Sequence, residues 1–122
     1  MKGEIEFSIE DRQEDHVTSR MPVTPGMLNP FGVVHAGAMI WLADVTATVL
    51  AREAFETGPN GKGFPLAIDL HAVLLRNTKS GSLQAEASFV RRGRRVSVVR
   101  TRVTGENGDL LIEITTTHVP AE

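Results

Sequence analysis

Asn29-Pro30-Phe31-Gly32-Val33-Val34-His35-Ala36-Gly37, running directly into Ala38-Met39-Ile40-Trp41-Leu42-Ala43-Asp44, is the stretch on which the reading of this chain turns. As far as Gly32, prolines and glycines forbid a regular element. Across residues 37–55 Ala, Met, Leu and Trp take over, with apolar groups on nearly every side. That pattern predicts one long helix buried on most of its circumference. The breaker cluster Thr57-Gly58-Pro59-Asn60-Gly61 closes it. Within this helix stands one carboxylate, Asp44, among Trp41, Leu42, Val45 and Leu50. Burying it is costly unless its charge is paired, hydrogen-bonded or put to use.

The sequence on either side of the helix is strand-like. Ile5, Phe7 and Ile9 alternate with Glu4, Glu6, Ser8 and Glu10, the period of a strand with one wet face. Residues 11–15 read as a turn, and residues 17–23 alternate again with Val17, Met21 and Val23 on one side, so the first two strands form a hairpin. Beyond the helix, residues 65–75 are mostly apolar and start at a proline, which is acceptable at a strand start. Leu83, Ala85, Ala87 and Phe89 alternate with Gln84, Glu86 and Ser88, Gly93 marks a tight turn, and residues 96–104 return. Asn107-Gly108 is the pair favoured in type I′ hairpins and leads into Leu110, Ile112 and Ile114. One helix and five or six hairpin-linked strands imply an α+β fold, an antiparallel sheet wrapped around one long central helix.

Composition narrows the function. At 122 residues the chain fits one domain, residues 1–122. With no cysteine, disulfides, thiolate metal sites and cysteine nucleophiles are excluded. A net charge of −2, no tyrosine and few aromatics argue against nucleic acid as a partner. Met1-Lys2-Gly3-Glu4-Ile5-Glu6 lacks the apolar stretch of a signal peptide. No apolar run approaches the roughly 20 residues of a membrane span. The expectation is a soluble cytoplasmic protein that binds neither membrane nor nucleic acid.

The chemistry concentrates at the helix. Backbone N–H groups near Ala36 and Gly37 lack intrahelical partners and can receive an anion or the oxyanion of an attacked acyl carbonyl. Small residues there let a substrate approach the backbone. Asp44 lies eight residues after Ala36, roughly 12 Å along the axis at about 1.5 Å per residue. One carbonyl cannot touch both. If both serve one site, the carboxylate comes from a second, antiparallel copy of the helix, which means a symmetric dimer. Thr48, one turn on, shares the face of Asp44 and can hold the carboxylate or a water. Asn29 offers an amide donor and an acceptor from the loop.

In these residues the chain resembles the hotdog-fold acyl-CoA thioesterases, in particular the phenylacetyl-CoA and hydroxybenzoyl-CoA thioesterase-like branch. Asn29, Gly32, His35, Gly37 and Asp44 match, with Leu42-Ala43-Asp44 where the family carries Leu-Ala-Asp or Leu-Ala-Glu. Downstream, Leu74-Leu75-Arg76, then Gly81 with Leu83-Gln84-Ala85-Glu86-Ala87, then Arg92-Gly93-Arg94-Arg95 continue the likeness, which covers about residues 20–119. The resemblance implies hydrolysis of an aromatic or short- to medium-chain acyl-CoA to the free acid and CoA. Asp44 would be nucleophile or general base, the Ala36 amide would polarise the carbonyl, Asn29 would orient substrate or water, and Thr48 would assist. It also implies a homodimer with sites between subunits, pairing further into a tetramer, and no cofactor beyond the coenzyme A of the substrate. One departure is visible: the usual His-Gly-Gly is His35-Ala36-Gly37, which keeps the donor and adds a methyl group that narrows acyl preference.

Plainer readings compete at each position. A lone Asp in an apolar helix is more often a hydrogen-bonded core acid, and the preceding loop tips Asp44 toward catalysis. His35 suits a cap or loop anchor better than a base. His35, Gly37, Phe31 and Trp41 would contact substrate, and acyl depth would depend on how Phe31, Met39, Trp41, Phe55 and Phe64 meet across the dimer. A loop Asn commonly caps its own turn, and a helical Thr commonly bonds back to the preceding turn. Asp69 and His71 share one strand face, yet no third ligand completes a metal site, and neither His16 nor His118 can be assigned to one. Arg91, Arg92, Arg94 and Arg95 surround a hairpin glycine, where they either solvate a turn or hold the phosphates of coenzyme A. Two other functions fit the same pocket: a non-catalytic acyl-CoA-binding regulatory module, and an enoyl-CoA hydratase. The hydratase normally wants an Asp–His pair, and no histidine follows Asp44 in the helix.

Overall fold

The computed structural model describes residues 5–122. Its elements, in chain order, are β1 (Ser8–Arg12), β2 (His16–Pro22), a single 3₁₀ turn at Pro25–Met27, α1 (Ala36–Ala51), a second 3₁₀ turn at Pro59–Gly61, β3 (Pro65–Leu74), β4 (Ser82–Arg91), β5 (Ser97–Thr104) and β6 (Leu110–Pro120). The strands form one sheet in the order β1-β2-β4-β5-β6-β3, every neighbouring pair antiparallel. The long connection through α1 carries the chain from β2 to β3 at the opposite edge, so α1 crosses the face of the sheet and packs on five strands. This is the hotdog arrangement that the residue pattern and the resemblance implied.

The alternation read from sequence sets which side chains meet the helix. Val17, Ser19 and Met21 of β2, Leu83, Ala85 and Ala87 of β4, Ser97, Val99, Thr101 and Val103 of β5, and Ile112, Ile114, Thr116 and His118 of β6 are all buried. They divide into two clusters. One gathers Ala38, Met39, Leu42 and Ala43 against Met21, Leu83, Val103, Ile112 and Ile114. The other gathers Ala47, Leu50 and Ala51 against Val17, Ala87 and Val99.

Several expectations shift. The first strand begins at Ser8 rather than Ile5, and Phe7 instead packs edge-on against Trp41 with ring centroids 5.4 Å apart. The alternation at Glu4 lies outside the described residues. The strand runs on to Arg12, leaving a shorter turn. The α-helix ends at Ala51, and the chain continues with the tighter bonds Glu53 N–H to Leu50 O and Ala54 N–H to Ala51 O, a 3₁₀-like unwinding at a helix end. The turn at Asn107-Gly108 is not type I′, which needs a positive φ at both central residues; Gly108 has φ 83° and Asn107 does not. A loop of residues 105–109 replaces it, closed by Gly105 N–H to Asp109 O at 2.9 Å and Gly108 N–H to Gly105 O at 3.0 Å.

The larger correction concerns the helix. It is buried on one side only: Ala36, Ile40, Trp41, Asp44, Val45, Thr48 and Val49 keep part of their surface accessible, and Gly37 is exposed. The apolar strand β3 is likewise open. It pairs with β6 alone, and Leu66, Ile68, Leu70, Val73 and Leu74 are exposed. Among the described residues no helix is long and apolar enough to cross a membrane.

Candidate active site

The loop before α1 is held by its own backbone. Asn29 N–H donates to Val33 O at 2.8 Å and Gly32 N–H to Asn29 O at 2.9 Å, which requires the left-handed conformation that Gly32 adopts at φ 79°. The Asn29 side-chain oxygen accepts from the Phe31 and Val33 amides at 2.9 and 3.2 Å. Asn29 is thus a loop organiser first, and what it still has to offer is the NH₂ half of its amide.

Val34 N–H then donates to Thr78 O and His35 N–H to Met27 O, at 2.9 and 2.8 Å, and these bonds fix where the helix begins. His35 is the N-cap residue, but its side chain makes no capping bond. It anchors through its backbone amide, and the imidazole is exposed. Ala36 opens α1, Ala38 N–H turns back to His35 O at 3.0 Å, and the Ala36 and Gly37 amides find no acceptor among the described residues. A methyl group added at Gly37 would meet nothing within 4 Å. Two free donors at a helix N-terminus with open space before them can receive a developing negative charge.

Asp44 and Thr48 lie on the partly accessible face of the same helix. Thr48 neither bonds back nor reaches Asp44; the back-bonding threonine is Thr46, whose hydroxyl donates to Leu42 O at 2.6 Å and accepts from the buried Ser19 hydroxyl at 2.6 Å. Sequence reasoning passed over Thr46, whose burial follows from its place one turn after Leu42. Asp44 therefore has no partner for its carboxylate oxygens among the described residues.

Of the expected acyl-contacting residues, Phe31 is 85% exposed beside the helix start and Trp41 is half-buried, both able to meet a substrate. Met39 and Phe55 turn out to be buried in the subunit's own core, at 2% and 7% exposure, so neither reaches an interface; the position of Met39 one residue off the outward stripe explains it. Phe64 remains 43% exposed.

The arginine turn lies at the other end of α1. Arg92 donates to Glu53 O at 2.5 Å and lies over the Phe89 ring, 5.7 Å from its centroid. Arg91, Arg94 and Arg95 are exposed, and their side chains make no bond within the described residues. Arg94 borders a cleft with Phe55, Glu56 and Pro120, and Arg95 borders the adjoining one with Glu56, Lys62 and Val119. Asp69 and His71 are exposed on β3 and do not bond each other, and no cluster of metal-ligating side chains occurs among the described residues.

One buried group escaped the sequence reading. His118, on the inward face of β6, is fully buried; its Nε2 lies 2.8 Å from the Thr116 hydroxyl and its Nδ1 has no partner. Burial pushes the imidazole below its ordinary value of 6.5, opposed by the attraction of the Asp44 carboxylate. The signal was there: extending the parity of Ile112 and Ile114 by two and four residues puts Thr116 and His118 inward.

The comparisons with known proteins bear on the fold and the family. A family model described as the thioesterase superfamily matches residues 31–112, and the chain belongs to that family. A Haemophilus influenzae protein named for an inferred esterase activity is 30% identical over 97 residues, spanning 80% of this chain and 67% of that protein. A solved thioesterase structure from Haemophilus influenzae superposes with a TM-score of 0.84 at 27% identity, covering 95% of this chain and 78% of that one. A hypothetical thioesterase protein from Streptococcus pneumoniae, solved with coenzyme A, has the same fold: TM-score 0.83 at 20% identity, over 95% of this chain and 86% of that one. The chain spans about two thirds of the length of the curated relatives it matches.

Proposed function

We propose that this chain is an acyl-CoA thioesterase whose sites form between two antiparallel copies of α1. The observation that carries the reading is the pairing of free Ala36 and Gly37 amides with an unpartnered Asp44 that they cannot reach along one helix. Membership in the thioesterase superfamily and the coenzyme A held by the Streptococcus pneumoniae protein support it. The half-covered face of α1 and the open apolar edge at β3 favour a second copy, which would cover both at once.

In the assembled site the thioester oxygen lies against the Ala36 amide of one subunit. The Asp44 carboxylate of the other either takes a proton from the attacking water or attacks the carbonyl carbon itself. The C–S bond breaks and coenzyme A leaves as the thiolate and recovers a proton; in the first route the acid is released at once, and in the second the acyl–Asp44 anhydride is hydrolysed by water to release the acid and restore the carboxylate. Thr48 and the Asn29 NH₂ orient water and substrate, and His35, Gly37, Phe31 and Trp41 border the acyl group. An antiparallel pairing brings the arginine turn of one subunit toward the helix start of the other, so Arg91, Arg94 and Arg95 are placed to hold coenzyme A phosphates, with Arg92 already engaged at Glu53.

Thiol release over a series of short, medium, long and aromatic acyl-CoAs tests the reading. Asp44→Asn is expected to lower turnover at least as much as loss of one oxyanion donor, about 10²- to 10³-fold, with the fold retained. Full turnover by that variant on every acyl-CoA the parent hydrolyses would sink the mechanism.

A further inference from the structure

We propose that Phe7 sets the length of the acyl group this site accepts: its ring, standing edge-on against Trp41, closes the apolar end of the site and restricts the substrate to acyl-CoAs with a compact acyl group. The inference rests on the thioesterase reading above and names the substrate class within it.

The helix places Trp41 among the groups of that reading. At about 100° and 1.5 Å per residue, Trp41 stands about 40° round the helix from Gly37 and about 60° from Asp44, roughly 6 Å beyond the one and 4.5 Å short of the other. Gly37, Trp41, Asp44 and Thr48 therefore form one stripe on the open face of α1. Trp41 lies between the free amide and the carboxylate, so it borders both half-sites that its own helix supplies. An acyl chain is apolar and lies against the apolar part of that face, where Ile40, Trp41 and Val45 are partly accessible. Trp41 is the largest of the three.

Phe7 comes to this place from outside the helix. Ile5 and Ile9, which share its parity, are exposed, as is every residue of β1. Only Phe7 of the three is half-buried, and its ring meets Trp41 at 89° with centroids 5.4 Å apart, the edge-to-face contact that aromatic pairs prefer. Phe7 and Trp41 lean on the same core cluster together with Val23, Leu28 and Ile40. That seat holds the ring in place, backed by the pairing of Ser8 with Arg20 one residue on. A chain advancing along the stripe past Trp41 meets the Phe7 ring, and the space it needs is already filled.

The ratio of kcat/KM on octanoyl-CoA to that on butyryl-CoA tests this, measured for the parent, Phe7→Leu and Phe7→Ala. Both substrates are assayed on one preparation, so any loss of folded protein cancels. The parent should favour butyryl-CoA. Phe7→Ala should raise the ratio by at least about 10-fold, the lower end of what one methylene is worth in an apolar pocket. Phe7→Leu, which keeps much of the bulk, should move it less. A parent that prefers octanoyl-CoA, an unchanged ratio in Phe7→Ala, or an equal shift in Phe7→Leu would overturn the proposal.

A second readout needs no turnover. Trp41 is the one tryptophan in a chain without tyrosine, so its emission can be followed directly. The probes are S-butyl-CoA and S-octyl-CoA, thioethers that cannot be hydrolysed, with coenzyme A alone as the baseline. S-butyl-CoA should change Trp41 emission beyond coenzyme A alone, and Phe7→Ala should shift relative affinity toward S-octyl-CoA by at least about 10-fold. Emission blind to the S-alkyl group overturns the proposal whatever the turnover. The expected emission changes without thiol release from any acyl-CoA would instead count against the proposed function.

Discussion

On the side of α1 turned to the sheet, Ala38, Met39, Leu42, Ala43, Ala47, Leu50 and Ala51 are buried against alternating residues of five strands. On the opposite side Ile40, Trp41, Val45 and Val49 are as oily, yet only half covered, and Asp44, Thr48 and the free amides of Ala36 and Gly37 share that side with them. The first face has a partner within the chain and carries stability. The second has none there, and it carries the helix groups proposed for acyl chemistry. Apolar surface of that kind beside functional groups marks an interaction site, and the two faces should answer differently to the same perturbation.

The largest contrast is expected from truncating one residue on each. Leu42→Ala opens a cavity in the core and should cost about 2–5 kcal/mol in urea unfolding, equally at every protein concentration. Ile40→Ala should cost far less in the isolated subunit, with a loss seen at concentrations where the parent associates and shrinking on dilution, because a residue facing a partner acts through association. Equal costs at all concentrations would erase the distinction between the faces.

Next comes the helix start. Ala36 is the first helical residue, where proline is tolerated, and His35 at φ −59° and ψ 134° already has the conformation that a following proline demands. Ala36→Pro therefore deletes one N–H with little else disturbed. Turnover should fall about 10²- to 10³-fold, equivalent to about 2.7–4 kcal/mol. Refolding Ala36→Pro together with Asp44→Asn sharpens the point. About half the dimers would then be mixed and one of the two sites in each would be whole, so about a quarter of the parental activity returns. If nothing returns, the two half-sites belong to one chain.

What could be read from sequence follows the same division. Where a residue's neighbours lie within the chain, its pattern sufficed: the alternation of Leu83, Ala85 and Ala87 fixed their inward face, and the breakers at 57–61 bounded the helix. Where the chain itself supplies no neighbour, the pattern misled. A helix oily on all sides reads as buried on all sides, and nothing in the residues distinguishes cover by the sheet from cover by something else. β3 failed for the same reason, its run of Leu66, Ile68 and Leu70 being apolar without being buried. The Asn107-Gly108 turn was misjudged because loop length, not the pair itself, selected the geometry. His118 was missed by stopping the strand parity at Ile114.

A smaller effect lies beneath the helix. Thr46→Val keeps the shape of the side chain but removes the acceptor of the buried Ser19 hydroxyl, which should cost about 1–3 kcal/mol. Turnover per folded molecule should be unchanged, since Thr46 faces the sheet. A drop in kcat as large as that of Ala36→Pro would mean that the covered face also serves the chemistry.

The smallest expected response lies away from both faces, at the β1–β2 turn, and it provides the control for any pH profile of turnover. His16 sits between Asp15, 2.9 Å from Nδ1, and Asp11, 3.0 Å from Nε2. The bond to Asp15 and then that to Asp11 raise the imidazole above its ordinary 6.5, so its contribution is full below that pH and is lost as pH rises through the raised value. The two carboxylates move the other way. Gln13 and His16 lower Asp11, and His16 lowers Asp15, so their contributions are full above 3.8 and fade as pH falls through the lowered values. The turn is therefore tightest from about pH 4 to just above 6.5. All three groups are solvent-exposed, so the effect should be slight and should shrink further with salt. Exchange of the Gln13 amide, which donates to His16 O at 2.8 Å, corrected for the intrinsic pH dependence of exchange, should show its greatest protection in that window. His16→Gln should flatten the alkaline side while leaving the pH dependence of turnover as it was. If turnover instead followed His16, the separation between the chemistry on the open face of α1 and the rest of the molecule would fail.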